Sequence, residues 1–255
     1  MAKERINVVW LKKDLRLQDH EPFMRAEQDS LPYLIVYIFE PTLMAHPDCS
    51  TRHLQFIYQS LLEMQMQLSP CNLKIDLFQA EALDVFEIIQ NQYEIINVFS
   101  HQESGIRLSW ERDKKVAQWF KGQGIIWQES QRDGILRGIK NRDDWDKQWY
   151  SNINLPTIKN EFAVADSILQ LNHSFELEAS LLNDLSEYPS QFQPAGEMHA
   201  WKYLKSFTAD RGKNYHRHIS KPTESRTSCG RISPYLSWGN ISIKQAVHHI
   251  KLHPN

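Results

Sequence analysis

The 255-residue sequence predicts an α/β fold: a doubly wound, parallel five-stranded sheet over residues 1–135, a connection over 136–195, and an incomplete all-helical domain over 196–255. Three observations lead there. Short apolar runs rich in β-branched and aromatic residues recur in the first half, stretches with helical spacing separate them, and the strand pattern stops near residue 134. Strands that alternate with helices build parallel sheets through right-handed crossovers.

The first run, INVVWL at 6–11, is short and bounded by charge, as a strand buried on both faces would be. Runs at 31–39 (LPYLIVYIF), 73–78 (LKIDLF) and 94–99 (EIINVF) repeat it, and GIIWQE at 124–129 supplies a fifth. Between them, residues 51–68 place Leu54, Ile57, Tyr58, Leu61 and Leu62 on one helical face, with Ser50 or Thr51 available as a cap. Residues 81–92 and 107–121 behave alike, and Gly122 and Gly124 close the latter as a C-cap. Residues 134–195 contain Pro156, Pro189 and Pro194 and read as a connection carrying short helices. From Gly196 the pattern is helical again: Ala200, Trp201, Leu204 and Phe207 form a stripe, and helices follow at Pro234 and at 242–252.

An apolar content of 41% supports a real core. Cys49, Cys71 and Cys229 are too scattered for a disulfide framework or a metal-binding pair, and His216, His218, His248 and His249 show no metal-site spacing, so no metal is expected. No signal peptide precedes the first strand and no apolar run approaches the roughly 20 residues of a membrane span, so a soluble, cytoplasmic protein is expected. The net charge of −2 hides an asymmetry: residues 196–255 hold ten Lys and Arg against three Asp and Glu. A basic region of that kind suits a polyanion, a pyrophosphate or a nucleic-acid backbone; it also reads as a solvated face.

The first strand runs into LKKDLRLQD, not into G-x-G-x-x-G, and no phosphate-loop motif occurs elsewhere. Lys12, Lys13, Asp14 and Arg16 nevertheless stand where doubly wound sheets bind ligands, at the carboxyl end of a strand; the alternative is a turn whose charges pair internally, Asp14 with Arg16 or Arg112. Residues 226–242, RTSCGRISPYLSWGNIS, gather hydroxyls, a cation and free backbone amides at a helix start. The ligand this suits is a phosphate or pyrophosphate, and the same residues read equally as an ordinary N-cap, Ser233 before Pro234.

Together these segments resemble the photolyase/cryptochrome family. Trp10 to Leu17 and Asp19 match its opening Trp-Phe-Arg-Arg-Asp-Leu-Arg-Leu-x-Asp-Asn type motif, Gly230 to Leu236 match its Ser-Arg-Leu-Ser-Pro-Tyr-Leu type motif, and Glu103 with Arg112 and Asp113 fit between them. The resemblance implies a Rossmann-like N-terminal domain, FAD in the helical part, and light-driven repair of pyrimidine dimers in damaged DNA; a cryptochrome-like photosensor or a non-enzymatic binding module is the alternative. It assigns Tyr215, Ser228, Cys229, Gly230, Arg231, Ile232 and Ser233 to the flavin phosphate. Cys229 and Gly230 depart from the usual Thr and Ser, removing hydroxyls but not amides. It assigns the crevice of Lys12, Lys13, Asp14, Arg16 and Glu103 to a second, antenna chromophore. The length of the Glu103–Asp113 segment disfavours folate and leaves a flavin or deazaflavin-type antenna, or none. Arg211, Lys213, Arg217, Lys221, Arg226 and Arg231 would supply a basic rim for DNA. Because the chain ends at Asn255, where the family continues, it is expected to bind FAD poorly and to be inactive as isolated. The stripe Trp201, Leu204, Phe207, Tyr235 and Trp238 is expected to lie exposed and to drive self-association.

Overall fold

A computed structural model describes residues 2–253. All five expected strands form: β1 (Arg5–Leu11), β2 (Tyr33–Ile38), β3 (Ile75–Phe78), β4 (Glu94–His101) and β5 (Ile126–Ser130). They pair in parallel in the order β3-β2-β1-β4-β5. The winding therefore reverses between β1 and β4. In β1, Ile6, Val8 and Trp10 point to one face and Val9 and Leu11 to the other, and all five are buried, which is why the run shows no polar face.

Helices α1 (Glu21–Gln28), α2 (Pro41–Met44), α3 (Thr51–Leu68), α4 (Ala82–Gln92) and α5 (Arg107–Gln123) lie between the strands. Val85, Phe86 and Ile89 of α4 and Val116 and Phe120 of α5 fill one face of the sheet. Phe23 of α1 and Ile57, Leu61 and Met64 of α3 fill the other. Helix α5 ends where Gly124 adopts a left-handed conformation, φ 76°, that favours glycine; Gly122 lies inside the helix.

The chain then forms α6 (Trp145–Ile153) and α7 (Ala179–Ser186), which packs on α3, followed by α8 (Glu197–Ser206) with a π-helical turn at Phe207–Arg211, α9 (Tyr215–His218), α10 (Pro222–Ser228), α11 (Ser233–Trp238) and α12 (Ile243–Lys251). Ser242 caps α12 with a full capping box, its hydroxyl accepting from the Gln245 amide.

The expected exposed stripe is corrected by the packing. Leu204 and Tyr235 are buried, and with Ala195, Ala200, Ile241 and Ala246 they close a third core on Phe56 of α3. Trp201, Phe207 and Trp238 are half-buried. The helical segment folds back on the α/β layer and takes Leu204 and Tyr235 out of the expected exposed stripe.

What fastens that segment is the turn joining β1 to α1. The Leu15 amide donates to the Trp238 carbonyl at 3.0 Å, Asn240 donates to the Leu15 carbonyl at 2.9 Å, and the Leu17 amide donates to Glu197 at 2.9 Å. Gly239 sits at the closest approach, with φ 74°, and a Cβ there would lie 2.3 Å from the Lys13 carbonyl oxygen. Gly239→Ala is therefore expected to lower stability by about 3 kcal/mol, from a left-handed side chain and a backbone collision together. Urea unfolding checks it; a loss under about 1 kcal/mol would mean that the turn and the segment are not tightly joined.

Candidate functional site

The sheet reverses at β1/β4, and a crevice of about 290 Å³ opens beside the carboxyl ends of β1 and β2. Trp10, Tyr37, Phe39 and Trp238 supply its aromatic wall, and Lys12, Lys13, Glu40, Glu103 and Arg112 its charged groups. Ligands in open α/β sheets bind at such switch points.

Its charges are spent largely on one another. Arg112 donates to Glu40, to Glu103 at 2.7 Å and to Asp113 at 2.8 Å, and its guanidinium lies 4.8 Å from the Trp10 ring centre. Lys12 reaches Asp113 at 3.2 Å and lies 4.2 Å from the Trp10 ring centre; burial, then Arg112, lower its pKa. Lys13 is the freest, its ammonium 3.5 Å from Glu103 with a side chain 30% exposed. Burial pushes the Glu103 carboxyl up, and Arg112, Lys12 and Lys13 together draw it below its ordinary value. Glu40 goes the other way: burial pushes it up to about 7 against the pull of Arg112, with Glu81 and Glu103 adding to the rise. One of its oxygens, Oε2, is buried without a hydrogen-bond partner.

Of the residues expected in the crevice, Lys12, Lys13 and Glu103 line it; Asp14 and Arg16 do not. Asp14 is fully buried and pairs with neither arginine. Its Oδ2 lies 2.8 Å from His101 Nδ1 and 3.1 Å from His20 Nε2, and Oδ1 accepts the Lys12 amide at 2.7 Å. Burial raises its pKa, but the two imidazoles beside it hold it well below the carboxylate range. Burial also drives His101 down to about 3 and lowers His20, so both rings are neutral near pH 7. His20 Nδ1 accepts the Phe23 amide as the cap of α1, which puts the ring proton on Nε2, 3.1 Å from Asp14 Oδ2 but out of hydrogen-bond alignment with it. Asp14, His20 and His101 have the composition of a metal site. That tautomer suits a hydrogen-bonded hub, since a metal-bound imidazole usually donates from its other nitrogen. Arg16 turns away to the carbonyls of Asp19, at 2.7 Å, and Gly239, at 3.1 Å.

The second candidate, the 228–233 loop, joins α10 to α11. Arg211 donates to the carbonyls of Tyr203, Thr227, Cys229 and Gly230, and Gln193 to that of Arg231. Among the described residues, the amides of Gly230, Arg231 and Ile232 donate to no protein acceptor. Arg231 takes a left-handed φ of 56° and is exposed. Ser228 is buried, its hydroxyl 2.7 Å from His218. Ser233 is not the N-cap: Ile232 holds that position, without a side-chain cap. Tyr215 is 37% exposed and edges on Phe207. A side chain at Gly230 would meet only the Phe207 ring at 3.9 Å, so packing does not demand glycine there. Ser237 and Trp238 at the far end of α11 line the crevice, so one six-residue helix, about 9 Å long, separates the two candidates.

Comparison with known proteins places this geometry. The profile of the DNA photolyase family matches residues 7–139, half of the chain. The chain belongs to the DNA photolyase family, which includes cryptochromes. It is 25% identical over 253 residues to a deoxyribodipyrimidine photo-lyase of Buchnera aphidicola, an alignment covering 92% of this chain and 51% of that protein. The fold matches an archaeal photolyase from Sulfolobus tokodaii, whose crystal structure holds two FAD molecules, with TM-score 0.72, 20% identity and coverage of 96% and 54%. It matches a Synechocystis sp. PCC6803 cryptochrome with TM-score 0.74, 18% identity and coverage of 99% and 56%. The chain spans about half the length of the curated photolyases it matches. No described helix is long and apolar enough to cross a membrane.

Sequence reasoning missed Glu40, Trp10 and Trp238 as crevice residues. A signal for Glu40 existed: a carboxylate directly after a buried strand, in YIFEP, opens toward the same end of the sheet as the Lys12–Lys13 turn. Glu40 also gives a pH test. A carboxyl raised on folding contributes stability below its unfolded pKa, near 4.5, and that contribution is lost as pH rises through about 7. Between pH 5 and 8 the native protein is expected to lose up to about 3 kcal/mol relative to Glu40→Gln. Parallel pH–Tm curves for the two proteins would contradict it.

Proposed function

We propose that the chain serves a photolyase-type flavoprotein that reverses pyrimidine dimers in damaged DNA by light-driven electron transfer from reduced FAD. The polarity of the 228–233 loop carries this reading. Its carbonyls are taken by Arg211 and Gln193 while the amides of Gly230, Arg231 and Ile232 stay free, an arrangement that accepts an anion such as the flavin pyrophosphate. Bound reduced flavin would supply the electron. The chain's residues bind and orient: Arg231 adds a cation at the loop, and exposed Lys213, Arg217, Lys221 and Arg226 offer phosphate contacts to DNA. Arg211, counted from sequence in that basic rim, instead holds the loop. The crevice at the other end of α11 is the place for an antenna chromophore. The loop touches one side of a ligand that pockets usually enclose by about 70–90%, so the chain holds FAD weakly and saturating cofactor is needed.

Residues 1–135, 136–195 and 196–255 serve in this reading as antenna domain, connection and start of the flavin domain. Without added cofactor, residues 1–255 are expected to leave thymine dimers in an oligonucleotide intact, as the sequence reading has it; at saturating, photoreduced FAD under blue light they are expected to split them. Arg231→Ala is expected to weaken FAD about tenfold, or about 1.4 kcal/mol. Photoreduction with intact dimers would favour the cryptochrome-like photosensor, which uses the same crevice and loop. Failure to bind FAD at all would overturn both and leave the non-enzymatic binding module.

A further inference from the structure

We infer that the amino end of the sheet carries a binding site of its own, a groove that takes a linear aliphatic polyamine, with Asp76 Oδ2 accepting one of its ammonium hydrogens.

Because all five strands are parallel, the edge of the sheet opposite the crevice presents strand starts. There a groove of about 440 Å³ runs past Glu4, just before β1, past Tyr33 and Leu34 of β2, and past Asp76 of β3. Its other wall is the connection, residues 163–169. That wall is fastened in place: the Ala163 amide donates to Glu27 at 3.0 Å, the Ala165 amide to the Cys71 carbonyl at 3.0 Å, and Asn72 to the Ala165 carbonyl at 2.8 Å. The volume lies within the usual range of ligand pockets, about 300–1,000 Å³.

Two observations point to a cation. Five carboxylates line the groove, Glu4, Glu27, Asp29, Asp76 and Asp166, against the one ammonium of Lys74. Asp76 is 3% exposed; its Oδ1 takes Lys74 at 2.6 Å, and its Oδ2 is buried with no partner among the described residues. A buried carboxylate oxygen without a donor is costly, so a ligand that brings an N–H to it gains what the protein alone forgoes. Helix α1 also ends here, and its carbonyl end favours positive charge.

The spread of the carboxylates decides the kind of cation. Among the described residues, no three of them bring their oxygens within 4.8 Å of one another, as the cage of a divalent ion would. They are strung out instead. Glu4 leads into β1 and Asp76 lies in β3, two strand spacings or about 10 Å apart across the sheet, and Glu27 and Asp29 follow at the end of α1. A row of charges suits a chain that carries ammonium groups at intervals, and Ala26, Leu31, Pro32, Leu34 and Leu73 offer apolar surface to the methylenes between them. Lys74, with a side chain 53% exposed, competes with such a ligand for Asp76.

Isothermal titration of residues 1–255 with spermidine is expected to show one site. Hexamethonium, which carries two quaternary charges and no N–H, is expected to bind at least about tenfold more weakly, because charge alone does not bond Oδ2. Asp76→Asn, with circular dichroism confirming the fold, should weaken spermidine to a similar degree. Lys74→Gln should tighten it, since the ligand then shares Asp76 with no other ammonium. Glu87→Gln, which removes the same charge from an exposed position on α4 outside the groove, should leave the affinity as it is. Equal binding of hexamethonium, insensitivity to Asp76→Asn, weaker binding by Lys74→Gln, displacement of spermidine by an equal concentration of Mg²⁺, or no binding of spermidine would each overturn the inference.

Discussion

The structure depends on one short turn, residues 12–20, between β1 and α1. In it Asp14 looks inward, where two neutral imidazoles and the Lys12 amide surround its carboxylate. Arg16 and Asp19 look outward to the helical segment: Arg16 donates to the Gly239 carbonyl, and Asp19 accepts from the Ser242 hydroxyl and pairs with Lys244 at 2.8 Å. All three side chains are essentially buried, so each bond forms in a setting where an unpaired group would cost several times what a paired one contributes. The turn is therefore over-determined, and it transmits the position of the sheet to α11 and α12.

Both candidate sites are arranged around the same fixture. Lys12 and Lys13 leave the turn on the crevice side and Trp238 enters from α11, so the crevice wall contains both layers of the protein. The opposite end of α11 carries the loop with free amides. A change in the turn would move both sites together, whereas a change in α5, which carries Arg112, would alter the crevice charges and leave the loop where it is.

The sheet was legible in the sequence because each strand is a short β-branched run between charges, and the 51–68 helix matched to the residue. Phe56 was less visible. It lies off the Leu54–Ile57–Leu61 stripe and is buried against Tyr235, a sign that α3 has two buried faces and that the aromatic stripe near the C-terminus has a partner. The direction of Asp14 and Arg16 could not be read from the chain. Consecutive charges after a strand resemble a ligand-facing turn, and the partners that draw these two aside, His101 and Gly239, are 87 and 223 residues away. Pairing over such separations is fixed by topology, not by local pattern. The 228–233 loop was legible as composition, but its polarity depends on Arg211 reaching across from a π-helical turn, a geometry that no spacing announces.

Native-state hydrogen exchange is the most direct measure of whether the β1–α1 turn joins the two layers into one cooperative unit. The amides of Leu15 and Leu17 in the turn, and of Asn240 and Ala246 in the helical segment, are expected to exchange through one opening, with the same free energy and the same denaturant dependence. Exchange of Asn240 and Ala246 at markedly lower free energy, with Leu15 and Leu17 still protected as deeply as Val8 and Val98 in the sheet, would show that the helical segment opens by itself and would contradict this account.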